Sequence, residues 1–260
     1  GSDFQNLHRN KRSIALNLKS AEGLEIFKKL AVTADIVVEN YRPDVKPRLG
    51  IDYESLKKFN PRIILASISG FGQDGPYADR PGFDQIAQGM GGLMAITGLP
   101  GQGPVRAGIA VADSSAGLYA ALGIMVALLE RETSGEGQWV QTSLLQSQIA
   151  MNDFQAARYL MSGEIPKQAG NDHPTSMPTS VYKTIDGQIN IAASGDGSWK
   201  RLCKAIDRDD LFNDPRFDSE ANRSENRVAL NEEINRASRQ FTSANLVAKL
   251  NAAGVPCGPI

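Results

Sequence analysis

The chain has 260 residues, 41% apolar and 22% charged, with 28 Lys and Arg against 29 Asp and Glu and a net charge of −1. This is the composition of a soluble globular protein with enough apolar material for a sizeable core, and it excludes the overall basic footprint of a nucleic-acid or anionic-membrane binder. Two cysteines, Cys203 and Cys257, are too few for a disulfide scaffold, and His8 and His173 alone exclude a His-rich metal site, so a reducing, cytoplasmic setting and no metal are expected.

In chain order, "SIALNLK" reads as a short strand, and "SAEGLEIFKKLAVTA" as a helix capped by Ser20, with Leu24, Phe27, Leu30 and Ala34 at helical spacing. "DIVVEN" is an apolar strand. Pro43, Pro47 and Pro61 then break "RPDVKPRLGIDYESLKKFNP" into a turn and a short helix before the strand "RIILASISG". The helix-like "GFDQIAQGMGGLMAIT", the strand "VRAGIAVA", a long helix after Asp113 and the strand "QWVQTS" follow. Strands alternating with helices predict a parallel sheet, an α/β layer fold. The apolar stretch around Leu118 to Leu129 reads as too short and too closely flanked by charge to span a bilayer, and no secretory segment opens the chain. From Gly163 to Ser180 the sequence is polar, proline-rich and aperiodic, as expected of a linker or active-site loop. Beyond it, Asp186-Gly187 sits between alternating strands as a hairpin signal, with helical stretches near Trp199–Ile206 and Glu225–Arg239. The expected organisation is a large domain over 1–162, a linker over 163–180 and a small α+β domain over 181–260. With a strand almost at its start and "AGVPCGPI" at its end, the chain reads as clipped at both ends.

Asp113 interrupts the apolar run "VRAGIAVADSSAGLYAALGIMVALLE" at a strand-to-helix junction. The helix has apolar side chains nearly all round and is expected to be buried on most sides. The simplest role for Asp113 is to cap free amides of the first turn, worth roughly 0.5–2 kcal/mol. Its place also suits chemistry. In open α/β sheets ligands bind beyond the carboxyl ends of strands, and a helix N-terminus favours the ionised carboxylate, which could serve as nucleophile or proton carrier. The glycine clusters "GMGGLMAITG" and "GLPGQGPVRAG" lack the G-x-G-x-x-G context of a dinucleotide site. Lys11, Arg12, Lys19, Arg42, Lys46 and Arg48 lie near strand ends and could hold phosphates or be solvated surface.

"NKRSIALNLKSAEG", "ADIVVENYRPDV", "RLGIDYESLKKFNPRIILASISGFGQDGPY", "GFDQIAQGMGGLMAITG", "VADSSAGLYAALGIMVALLERETSGEGQWV" and "AAGVPCGPI" together resemble the class III CoA-transferases, the formyl-CoA transferase and carnitine CoA-transferase family. The likeness runs in order along nearly the whole chain. It implies a Rossmann-like large domain, a smaller domain, an interlocked homodimer, acyl-CoA and a small carboxylic acid as substrates, and further N- and C-terminal segments.

By the same resemblance Asp113 is the nucleophile, and Leu16, Asn17, Leu18 and Lys19, with Asn40, Tyr41 and Arg42, lie at the adenosine end of CoA. Arg48 would meet a phosphate, and Arg80 to Asp84, Phe83 included, would flank the pantetheine and thioester. Backbone around Gly70–Gly72 and the amides after Asp113 would face the oxyanion. Gly170 and His173 fall where formyl-CoA transferase carries a glycine-rich loop over its substrate. A single glycine there argues against formyl-CoA and oxalate as the specific pair. Arg80, His173 and Arg106 are candidates for pairing a distal carboxylate.

The nearest rival is α-methylacyl-CoA racemase, which uses a histidine where this chain has Phe83, and phenylalanine carries no proton. A catalytically idle CoA-binding subunit would not need to retain Asp113. A nicotinamide oxidoreductase would need the missing glycine fingerprint.

Overall fold

Local chemistry sets the boundaries of the first unit, which comprises Gly1–Ala95 and Pro104–Pro166. The computed structural model describes residues 1–260, with every side chain except that of Asp3. After α1 (Ser2–Leu7), Ser20 Oγ accepts from Gly23 N–H at 3.1 Å and starts α2 (Ala21–Thr33). Next come β1 (Ile36–Glu39), α3 (Val45–Leu49) and α4 (Tyr53–Lys57), the last capped by Asp52. They are followed by β2 (Ile64–Ser69), α5 (Asp84–Met90), α6 (Leu93–Ile96), α7 (Val111–Ser134), β3 (Trp139–Ser143), α8 (Leu144–Met151) and α9 (Asp153–Ser162).

The three strands pair in parallel in the order β1-β2-β3, with Ile36 opposite Ile64 and Leu65 opposite Trp139. Alternation along β2 divides its neighbours. Ile63 and Leu65 pack with Ala31 of α2 and Leu56 of α4. Ile68 points the other way, onto Ala87 of α5, Ala112 and Ala116 of α7 and Leu144 of α8. Helices therefore cover both faces of a parallel sheet, an α/β layering.

Two expected strands do not form. Ser13–Leu16 is irregular and leads into a turn in which Asn17 Oδ1 accepts from Lys19 N–H and Asn17 O accepts from Ser20 N–H, so capping chemistry uses the groups a ladder would need. In "VRAGIAVA" the backbone bonds to side chain and loop: Gln88 Oε1 accepts from Ala107 N–H, Gln88 Nε2 donates to Ile109 O, and Val105 N–H donates to Met94 O.

α7 also departs from expectation. It runs for 24 residues, twice the stretch judged too short to span a bilayer, and by length and composition alone it could cross one. Its sheet-facing side is made of small residues, Ala112, Ala116, Ala120 and Ala127 with Ser115, and a Cβ on Gly123 would lie 2.7 Å from Val140 Cγ1. That stripe lets the helix lie close against β3. The large side chains Leu118, Leu122, Met125, Val126 and Leu129 turn away and are exposed, Leu129 by 74%. The helix is thus one-sided rather than buried on most sides, because its bulk lies on the face opposite its alanines.

The second unit comprises Ile96–Gly103 and Lys167–Ile260. Gln168 Nε2 joins its two segments by donating to Thr97 O and Gly103 O, both at 2.6 Å. β4 (Thr179–Lys183), β5 (Gln188–Ala192) and β6 (Cys257–Pro259) form an antiparallel sheet in that order, with the expected turn through Asp186-Gly187. Alternate residues of β4 and β5 are buried. The helices are α10 (Asp196–Ala205), α11 (Asp209–Phe212), α12 (Glu220–Glu225), α13 (Arg227–Ser238) and α14 (Ser243–Ala252). Trp199, Leu202, Leu230, Ile234, Leu246 and Leu250 join Tyr182, Ile189 and Ile191 in one continuous core of 18 buried residues. Cys203 lies inside it, where burial pushes the thiol up to about 12, which makes it a packing residue.

Candidate active site

Asp113 is the third residue of α7, in its first turn. Its carboxylate caps nothing: the helix has no side-chain cap at Ala110. The first-turn amide of Ala112 donates instead to Asp84 Oδ1, at 2.9 Å. The helix N-terminus was expected to favour the ionised form of Asp113, yet partial burial and then the nearby Asp84 carboxylate hold its pKa above the ordinary value for aspartate. Burial, the larger of the two causes, outweighs the pull of the helix N-terminus.

The surrounding cleft has a volume of about 410 Å³ and is lined by Asn40, Ile68, Ser69, Gly70, Gly82, Phe83, Asp113 and Leu144. It lies beyond the carboxyl ends of β1 and β2 and at the β3–α8 junction, where open α/β sheets place their ligands. Two loops cross at its floor. A Cβ on Gly70 would lie 2.7 Å from Gly82 Cα, so only glycine allows the backbones to pass.

The structure brings Asn40, Phe83 and Asp113 into one cleft, and Phe83 stands 75% exposed. Tyr41 N–H donates to Glu39 Oε2, which fixes the turn just after β1. Arg42 and Arg48 converge on Asp44 at 3.5 and 3.0 Å and stay largely exposed. Arg80 stacks on the Tyr77 ring at 4.0 Å. Leu16, Asn17, Leu18 and Lys19 form the turn before α2 and are not in the cleft lining. In the second unit, Gly170 has φ +62°, and its N–H donates to Gly98 O. His173 Nδ1 accepts from Ser176 N–H at 3.0 Å and orders its own turn.

Three expectations need correction. Lys46 is no phosphate ligand: its side chain is 2% exposed and its ammonium meets Glu39 at 3.2 Å and Gln73 Oε1 at 2.7 Å. Arg106 does not stand ready for a distal carboxylate, because it is paired with Asp84 Oδ2 at 3.2 Å. Gly72 N–H is taken by Ser69 Oγ and does not face an incoming oxyanion. Among the described residues no group of three or more His, Cys, Asp or Glu side chains is placed to hold a metal ion.

Sequence reasoning missed the network behind Asp113. Asp84 Oδ2 accepts from Gln88 Nε2 at 2.8 Å and from Arg106, while Gln88 clamps the segment that leads into α7. The i, i+4 spacing of Asp84 and Gln88 was a readable signal; the link to Arg106 was not.

The family model for CoA-transferase family III matches residues 1–260. The chain belongs to CoA-transferase family III. Among relatives of this family, succinate–glutarate CoA-transferase of Agrobacterium fabrum is 40% identical over 253 residues, covering 97% of this chain and 63% of its own length. Succinyl-CoA–D-citramalate CoA-transferase of Chloroflexus aurantiacus is 38% identical, covering 98% of this chain and again 63% of its own. The chain thus spans less than two thirds of the curated relatives it matches. A CAIB/BAIF family protein from Brucella suis superposes with a TM-score of 0.84 at 40% identity, covering 97% of this chain and 67% of that one.

Proposed function

We propose that the protein is an acyl-CoA:carboxylate CoA-transferase that works as an interlocked homodimer, with Asp113 as nucleophile and a small dicarboxylate as acceptor. The observation that carries this reading is the Asp113 carboxylate itself, set at a helix N-terminus in the cleft with no hydrogen-bond or ion-pair partner among the described residues. A carboxylate with a raised pKa is the more basic nucleophile once ionised.

Asp113 Oδ attacks the thioester carbonyl and the C–S bond breaks, leaving an aspartyl-acyl anhydride and CoA thiolate. The thiolate attacks the aspartyl carbonyl and expels the donor acid as carboxylate, giving an aspartyl-CoA thioester. The acceptor carboxylate attacks that thioester, and the released thiolate then takes the acceptor acyl group and frees Asp113. Proton balance closes without a general acid. Relatives named for glutarate, D-citramalate and oxalate, at 37–40% identity, support a dicarboxylate acceptor. The exposed apolar face of α7 supports a second copy of the chain as its cover, since monomers rarely leave so contiguous a patch in water.

The test is transfer between a panel of acyl-CoA donors and free acids, oxalate, succinate and glutarate among them, read as new CoA thioesters by mass spectrometry. Wild-type transfer that is lost in Asp113→Asn is the expected result. Exchange of the α-proton of a 2-methylacyl-CoA with deuterated water, without transfer to any acid, would overturn it in favour of the racemase.

A further inference from the structure

Asp84 is 7% exposed, and its carboxylate is fully engaged within the fold. Oδ1 accepts from Ala112 N–H, the residue before Asp113, and Oδ2 accepts from Gln88 and Arg106. Gln88, itself buried, holds Ala107 N–H and Ile109 O, so α5 grips the chain on both sides of the turn into α7.

Building on the transferase reading, we propose that Asp84 is a positioning residue for Asp113: with Gln88 and Arg106 it fixes the first turn of α7 and sets the charge beside the reacting carboxylate.

The remaining surroundings single out this pair. Asn40 follows β1, Ile68, Ser69 and Gly70 come from the end of β2, Gly82 and Phe83 precede α5, and Leu144 begins α8. None of these side chains is charged, so Asp84 with its partner Arg106 is the charged couple next to Asp113. The Asp84 carboxylate pushes the Asp113 pKa up, in keeping with that placement. Arg106 sits 3.2 Å from Asp84 Oδ2, where its positive charge would offset that of Asp84, so on this proposal loss of Asp84 and loss of Arg106 move Asp113 in opposite senses.

The experiment compares Asp84→Asn and Arg106→Gln in the full-length protein. The Asp113 carboxyl is titrated by ¹³C NMR, its resonance assigned with Asp113→Asn, and the acid limb of kcat/KM is recorded in parallel. Asp84→Asn is expected to lower both midpoints, because the negative neighbour is gone and Arg106 is left unpaired. Arg106→Gln is expected to raise both. Loss of the tie in Asp84→Ala should also cut kcat, on the order of 10²-fold, with little change in KM, the mark of a displaced nucleophile. Midpoints that stay fixed in both conservative variants while thermal stability falls would overturn the proposal, leaving Asp84 a structural tie only. Should Asp84→Asn fail to fold, Arg106→Gln decides alone. If the wild type transfers CoA to no acid, the transferase reading falls, and the NMR midpoints still test the coupling.

Discussion

The two units spend their residues differently. The second gathers 18 buried residues into one continuous core around Trp199, whereas the first holds small clusters of four buried residues on either side of its sheet. Buried polar ties occur in both: Lys46 on Glu39, Asp84 on Arg106 and Arg131 on Asp35 in the first, and the fully buried Arg223 on Asp196 in the second. The first unit also leaves the large side chains of α7 uncovered. The larger apolar core therefore lies in the unit that lacks Asp113, the residue to which the proposed function assigns the chemistry.

The sharpest test of this division is Asp113→Asn, expected to reduce transfer by on the order of 10⁴-fold or more while costing no stability in urea unfolding. Trp199→Ala should do the reverse, costing about 3–5 kcal/mol in urea unfolding through the cavity it opens. Lys46→Met, which strands the buried Glu39 charge, should cost about 3 kcal/mol; a loss as small as that of a surface substitution would show that the polar ties do not hold the first unit together. Leu122→Asp is expected to shift the unfolding free energy by less than about 0.5 kcal/mol at dilutions where the chain is monomeric. At higher concentration it should lower the dimer fraction seen by light scattering. The smallest effect concerns pH. Because the folded-state pKa of Asp113 is raised, the native protein binds its proton more tightly than the unfolded chain, and ionised Asp113 costs stability at neutral pH. Asp113→Asn should therefore melt slightly above wild type at pH 7, with the gap closing below the ordinary aspartate value.

Much of this was legible in the sequence. "DIVVEN", "RIILASISG" and "QWVQTS" announced the parallel strands, Ser20 its helix cap, Asp186-Gly187 the hairpin, and the run after Asp113 the long helix. The remainder depended on partners distant in sequence. Whether "VRAGIAVA" pairs as a strand is decided by the Gln88 side chain, which occupies its backbone groups. Lys46 reads as surface until Glu39 and Gln73 close on it. An all-apolar helix carries no label for its inner face, so the inward alanines and outward leucines of α7 emerged only once Val140 lay against Gly123.

α7 is pinned at both ends, by Asp84 at Ala112 and by Arg131, whose guanidinium reaches Asp35 and Arg62 O. At 1.5 Å per residue its 24 residues make a rod of about 36 Å. Asp113 sits beside the first of these pins, and the outward leucines run between the two. Those two pins hold the bearing of Asp113 from within the chain, so substitutions among the outward leucines, such as Leu129 about 24 Å along the axis from Asp113, should leave its carboxylate in place.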